Sequence, residues 1–342
     1  MIIYSYSATI VCGRDLRIVC EILDDALREI YRELLDSGQT VTATRGETIE
    51  ITGVLIELER PRARLSRTET RGKPFTCLGE LLWYLSRGNN LDFITYYLPK
   101  YQEESEDGIT VRSAYGPRLF SLDGFDQVDN VIKLLTKRPA SRRAVIQLFD
   151  ASDISTAYVE APCTNSMQFI LRDGKLNMIT NMRSNDAFVG LPHDIFCFTM
   201  LQEVIARSLD CDVGVYKHFV GSMHMYSDRR VDVELYLSEA IQRSVEMPPM
   251  PEGDPWDSIT KVLELERSIR NGHSVDAGGI EVDSYWQDLI RLLQIFQATG
   301  NECQIERLAD SMSTDVYGIY ISARKAMRAR NEHTPIQGLL DL

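Results

Sequence analysis

Apolar positions along the chain switch between two periods, and the switches outline its elements. Residues 1–12 alternate and run apolar as a strand does, until Gly13 breaks them. From Ile22, the residues Leu23, Ala26, Leu27, Ile30 and Leu34 recur at helical spacing, and Gly38 is placed to end that helix. Residues 40–60 are rich in β-formers: Thr40, Val41 and Thr42, a turn at Arg45-Gly46, then Ile49, Ile51 and Val54 to Leu58. RPRARLSRTETRGKP reads as a polar, basic loop, and Leu78 to Leu85 as a helix buried on most sides. AVIQLF, MQFIL and LNMIT are strand candidates, the last two joined by a turn at Asp173-Gly174. Ile195, Phe198, Leu201, Ile205 and Leu209 mark a core helix. The proline-rich MPPMPEGDP at 247–255 punctuates the chain, and helical spacing resumes around Trp256 and Trp286. The pattern predicts an α+β protein: a mixed sheet with packed helices over residues 1–246, then a mostly helical extension over 247–342.

Composition narrows the class. The chain has 342 residues, 44% hydrophobic and 25% charged, which excludes collagen-like and wholly disordered readings. No apolar run approaches the roughly 18 to 20 residues that span a bilayer. The start, MIIYSYSATI, has neither a basic region nor a small-residue cleavage site, so a cytoplasmic protein without a secretory signal is expected. Seven cysteines without CxxC spacing predict free thiols and no metal site. The net charge of -13 disfavours nucleic-acid and membrane partners, but a local group of arginines can still hold a small anion.

Taken singly, the chemically capable residues have ordinary explanations. A lone cysteine such as Cys163 is usually a small buried hydrophobe. Glu80 is either turned to solvent from its helix or a buried acid kept for chemistry. Arg142 and Arg143 suit a solvated edge, His224 and Tyr226 a structural pair on a strand, and YQEESEDG an exposed acidic loop without chemistry.

Their order and spacing carry more. Arg142-Arg143, Ala161-Pro162-Cys163, Gln168-Phe169, Arg183-Ser184-Asn185-Asp186, Gly190-Leu191-Pro192 and His224-Met225-Tyr226 together resemble the thymidylate synthase family, which includes the pyrimidine-nucleotide hydroxymethylases. The resemblance extends upstream to Gly79-Glu80-Leu81-Leu82-Trp83 and Ala114-Tyr115-Gly116, covering about residues 40–230. It implies one-carbon transfer from 5,10-methylenetetrahydrofolate to carbon 5 of a pyrimidine 5'-monophosphate, without a metal. Cys163 would be the nucleophile that adds to carbon 6, with arginines lowering its pKa; Glu80 would serve the proton transfers, with Tyr115 near the carbon 5 proton. Arg45, Arg183, Ser184 and, across a homodimer interface, Arg142 and Arg143 would hold the phosphate. His224 and Tyr226 would bind the sugar, Gln168, Asp186 and Asp194 would complete the nucleotide site, and Asp186 and Gly190 would face the folate.

Departures from the family bear on the product. Asp194 stands where thymidylate synthases carry an asparagine that reads uracil. A carboxylate accepts from the cytosine amino group and from a protonated N3, but meets uracil O4 acceptor to acceptor. That favours a cytidylate, most simply dCMP converted to its 5-hydroxymethyl form; the alternative is that Asp194 merely caps the following helix. No tryptophan lies between residues 86 and 113, where the family places one over the ring, and the ending HTPIQGLLDL lacks the usual closing segment. A wetter site would let water capture the methylene intermediate. Thr164 and His193 replace a histidine and a phenylalanine. Two other readings remain: a thymidylate synthase acting on dUMP, and a silent nucleotide-binding homologue.

Overall fold

The computed structural model describes residues 10–12, 15–43, 45–68, 70–241 and 243–330. Most of the first predicted strand, residues 1–9, and the ending from 331 lie outside them. The strands are β1 (Ile10–Cys12), β2 (Asp15–Cys20), β3 (Gln39–Ala43), β4 (Gly46–Leu58), β5 (Val145–Gln147), β6 (Thr164–Arg172), β7 (Lys175–Asp186) and β8 (Asp212–Tyr226). They form one sheet in the order β1-β2-β4-β8-β7-β6-β5, with β3 paired to β4. The β2–β4 and β7–β8 pairs are parallel and the others antiparallel, so the sheet is mixed as predicted.

The helices in chain order are α1 (Leu23–Ser37), α2 (Pro74–Leu85), α3 (Leu91–Tyr97), α4 (Tyr115–Phe120), α5 (Gln127–Lys137), α6 (Gly190–Ser208), α7 (Arg230–Ser238), α8 (Trp256–Arg270), α9 (Ser284–Gln297), α10 (Glu302–Asp310) and α11 (Gly318–Lys325). Helix α6 is the crossover between parallel strands β7 and β8, a connection that parallel pairing requires. Leu191, Ile195, Phe198, Leu201 and Ile205 are all buried on it.

The basic stretch after β4 is a loop, but not a solvated one. Arg64 is buried beneath it and pairs with Glu203 of α6, which is also buried. Glu203 further accepts from Arg62 at 2.7 Å and from the Met250 amide at 3.0 Å, joining α6 to the proline-rich segment. Replacing Glu203 by Gln leaves the Arg64 guanidinium buried without its counter-charge. We expect a loss of about 3 kcal/mol in unfolding free energy, read from urea denaturation.

The extension closes over α2. Phe296 of α9 stacks on Tyr97, with centroids 5.1 Å apart, and on Phe75 at 6.3 Å. The Tyr97 hydroxyl donates to Glu266 of α8 at 2.9 Å. A Cβ at Gly79 would come within 2.2 Å of the Tyr97 ring, so only glycine lets α2 approach this closely. The extension thus packs on the ring against which α2 seats Gly79, the residue before Glu80.

Candidate active site

Glu80 is only 5% exposed, so it belongs to the buried alternative. An isolated carboxylate there would be costly, and the fold surrounds it with donors. Tyr84, one turn along α2, donates to Oε1 at 2.9 Å, and Tyr101 donates to the same oxygen at 2.8 Å. Nδ1 of His193 lies 2.7 Å from Oε2, and its Nε2 lies 3.3 Å from the Thr76 hydroxyl. Burial by itself would raise the Glu80 pKa, but the His193 bond and charge, helped by the tyrosines, hold it below the usual range. Burial pulls His193 the other way, yet the Cys77 thiol and the Glu80 carboxylate beside it bring its pKa up to about 10. Both shifts favour an ion pair between the two.

Asp194 is next in sequence to His193, in α6. The helix starts four residues earlier, at Gly190, and the free amides before it are taken by Asp186, whose Oδ1 accepts from Phe188 and Val189 at 2.8 Å. The capping explanation for Asp194 therefore falls. Its Oδ2 instead accepts from Asn185 Nδ2 at 2.7 Å. Burial, then the Glu80 charge, push its pKa up to about 8, against the pull of Asn185. Both effects favour the protonated form of Asp194.

Cys163 ends the turn before β6, its carbonyl accepting from the Arg183 amide at 2.8 Å. The charges of Asp194, Glu104 and Glu160 all reach the thiol. Tyr115 stands at the start of α4, and its hydroxyl lies 2.9 Å from the Thr164 hydroxyl and accepts from the Thr164 amide at 3.2 Å. The expected lowering of the Cys163 pKa does not hold. Arg183 does pull it down, but burial outweighs that and leaves the thiol at about 12. Below that value the thiolate fraction grows about tenfold per pH unit. Alkylation of Cys163 by iodoacetamide, followed by peptide mass, should accelerate accordingly between pH 7 and 8, and Arg183→Gln should slow it.

The arginines divide into two groups. Arg45 and Arg183 converge on Glu160, with Arg183 Nη2 3.4 Å from its Oε1. Arg183 also donates from Nε to the Pro162 carbonyl at 3.0 Å and from Nη2 to the Ala161 carbonyl at 2.8 Å, clamping the turn that carries Cys163. Arg142 and Arg143 lie exposed on the loop before β5, without a hydrogen bond or ion pair from their guanidiniums to this cleft among the described residues. Gln168 sits with them, donating to the Arg142 carbonyl at 3.0 Å. Ser184 and His224 face one another from β7 and β8, hydroxyl to Nδ1 at 3.4 Å, with Tyr226 edge-on to the His224 ring at 5.7 Å.

The acidic loop also needs correcting. Pro99–Glu104 is a short 3-10 turn that sends Tyr101 to Glu80 and Glu104 towards Arg45 at 3.9 Å. Tyr84, Tyr101, Asn185, Glu104 and Glu160 were not singled out from sequence. Only Tyr84 had a local signal, its i,i+4 spacing from Glu80.

The family description "Thymidylate synthase" matches residues 25–260, which include every one of these side chains. The chain belongs to the thymidylate synthase family. It is similar to the deoxyuridylate hydroxymethyltransferase of Bacillus phage SP01, 30% identical over 233 residues that make up 63% of this chain and 60% of that protein. It is also similar to the deoxyuridylate hydroxymethyltransferase of Pseudomonas phage M6, 31% identical over 49% of each chain. Similarity to the thymidylate synthase of Francisella philomiragia is 30% identity over 46% of this chain and 64% of that enzyme. The chain thus spans about half to three-fifths of the length of the phage relatives. Among the described residues no cluster of acidic, histidine and cysteine side chains is suited to hold a metal, and no helix is long and apolar enough to cross a membrane.

Proposed function

We propose that the protein transfers a one-carbon unit to carbon 5 of a cytosine 5'-monophosphate, most simply dCMP, and releases the 5-hydroxymethyl nucleotide. The observation that carries the choice of base is Asp194, largely enclosed, held by Asn185 and with its pKa raised towards the protonated form. Its hydroxyl can donate to cytosine N3 while its carbonyl accepts from the amino group. When a thiolate adds to carbon 6, the charge it brings spreads to N3, which takes that proton and leaves a neutral enamine donating to the carboxylate. Uracil already carries a proton on N3; it can accept from the acid at O4 but offers no free N3 to take the proton, so the difference between the bases falls on adduct formation.

In this reading Cys163 forms the bond to carbon 6, and the electron pair of the 5,6 double bond becomes available at carbon 5. The co-substrate of the family, 5,10-methylenetetrahydrofolate, supplies the electrophilic carbon when bound. Gly190 and Asp186 suit its approach: a Cβ at Gly190 would lie in contact with Asn185 and Asp194, 3.5 Å from each, so the glycine leaves that side of Asp194 open. Tyr115 stands beside Cys163 for the carbon 5 proton, and the Glu80 carboxylate takes the proton of a water that completes the hydroxymethyl group. Arg45, Arg183 and Ser184 bind phosphate, and His224 with Tyr226 binds sugar. Arg142 and Arg143, exposed and untied to their own cleft, serve the partner's site in a homodimer, and helix α9 braces α2.

The polar groups around Glu80 and a tyrosine, not a tryptophan, in the loop before α4 favour water capture over hydride transfer. Two of the relatives named above are hydroxymethyltransferases, and their substrate name keeps the uracil alternative specific. One experiment tests both points. The protein is incubated with methylenetetrahydrofolate and either dCMP or dUMP, and the products are weighed. We expect a 5-hydroxymethyl cytidylate with tetrahydrofolate; thymidylate with stoichiometric dihydrofolate would overturn the reading.

A further inference from the structure

His193 occupies a position that the reaction as proposed does not use, yet its ring is buried and both nitrogens have partners: the Glu80 carboxylate at 2.7 Å and the Thr76 hydroxyl at 3.3 Å. The Thr76 hydroxyl donates to the Lys73 carbonyl at 3.3 Å and so is left to accept from Nε2; a ring with one proton could donate to only one of its two partners, whereas the imidazolium donates to both. We propose that His193 is a positioning residue that keeps the Glu80 carboxylate ionised and aimed, so that it acts as the proton acceptor of the hydroxymethylation step. This rests on the reading of Glu80 given above.

The surroundings favour that division of charge. Glu80 and Tyr84 come from α2 together with Cys77, Tyr101 comes from the 3-10 turn, and Asp194 and Cys197 share α6 with His193. The tyrosines occupy Oε1 as donors, so Oε2 is the oxygen whose state His193 decides. With an apolar ring in its place, Glu80 would keep two neutral donors but lose its only adjacent cation among the described residues, and burial would drive it to protonate. A protonated Glu80 cannot accept a proton from water. Because activity requires the ionised form, it falls as pH drops through the Glu80 pKa. Removing His193 raises that pKa, so the acidic limb of the kcat profile must move to higher pH.

Two variants and one spectrum test this on the full-length protein. His193→Phe should lower kcat at pH 6 at least about tenfold with KM for nucleotide changed less than about threefold, and displace the acidic limb upward by about one pH unit or more. His193→Gln keeps a donor for Oε2 without the charge; it should recover part of kcat while its acidic limb stays displaced. Acidic limbs that coincide with the wild type in both variants, each still binding nucleotide, would overturn the proposal. Ring nitrogen-15 shifts give a readout independent of activity. We expect both His193 nitrogens protonated at pH 8 in the wild type and a return to the neutral ring in Glu80→Gln. A neutral His193 at pH 8 in the wild type sinks this proposal, whereas a wild type inert towards every pyrimidine nucleotide sinks the proposed function.

Discussion

Cys163→Ser should reduce tritium release from 5-tritiated nucleotide by about ten-thousandfold while leaving nucleotide affinity within about threefold. The size follows from the chemistry. Exchange at carbon 5 needs a nucleophile bonded to carbon 6, and a serine hydroxyl in this buried turn is a far weaker acid than the thiol it replaces. Affinity should survive because the phosphate and sugar groups in the proposed site are Arg45, Arg183, Ser184, His224 and Tyr226, none of which bonds through the sulfur. The measurement pairs tritium release with calorimetric titration of nucleotide. Unchanged exchange would exclude covalent catalysis at Cys163; lost affinity would show that the substitution disturbs the Ala161–Pro162 turn held by Arg183. The same result separates an enzyme from a silent binding homologue, since the latter shows no exchange even in the wild type.

Asp194→Asn should reverse the base preference, changing the ratio of kcat/KM for dCMP over dUMP by about a thousandfold, or ~4 kcal/mol. The loss with dCMP should fall on kcat more than on KM. A carboxamide still matches neutral cytosine, its N–H facing N3 and its carbonyl facing the amino group, so binding changes little. What it cannot do is hand a proton to N3 when the adduct forms. With dUMP the amide N–H faces O4, where negative charge develops, and the rate should rise. A ratio that stays put would assign base reading to another group. Tighter but unreactive dCMP would show that Asp194 acts in binding alone.

Much of the frame was legible because it rests on local periodicity. Helix α1, the β3–β4 hairpin, the β6–β7 turn at Asp173-Gly174 and α6 all follow from patterns within a few residues. Strand β2 escaped notice because Asp15–Cys20 is a short run just past a glycine that read as the end of the first strand. The loop after β4 was legible as a loop, but its burial was not: the partner of Arg64 lies 139 residues away in sequence. The site shows the same division. Cys163, Glu80, Asp194 and Tyr115 stood out through their motifs. Tyr101 was hidden in an acidic loop and reveals itself only by what it touches, and the ionisation of Asp194 and Cys163 follows from burial, which no spacing encodes.

The clamp made by Arg183 has a consequence for the order of events. Its donors are engaged by the carbonyls of Ala161 and Pro162 and by Glu160, immediately ahead of Cys163, the proposed nucleophile. An anion arriving at that guanidinium competes with the backbone of the turn that carries Cys163. Capture of the anion and slackening of the turn are then one exchange of partners, so that binding at the guanidinium is felt directly by the half-buried Cys163.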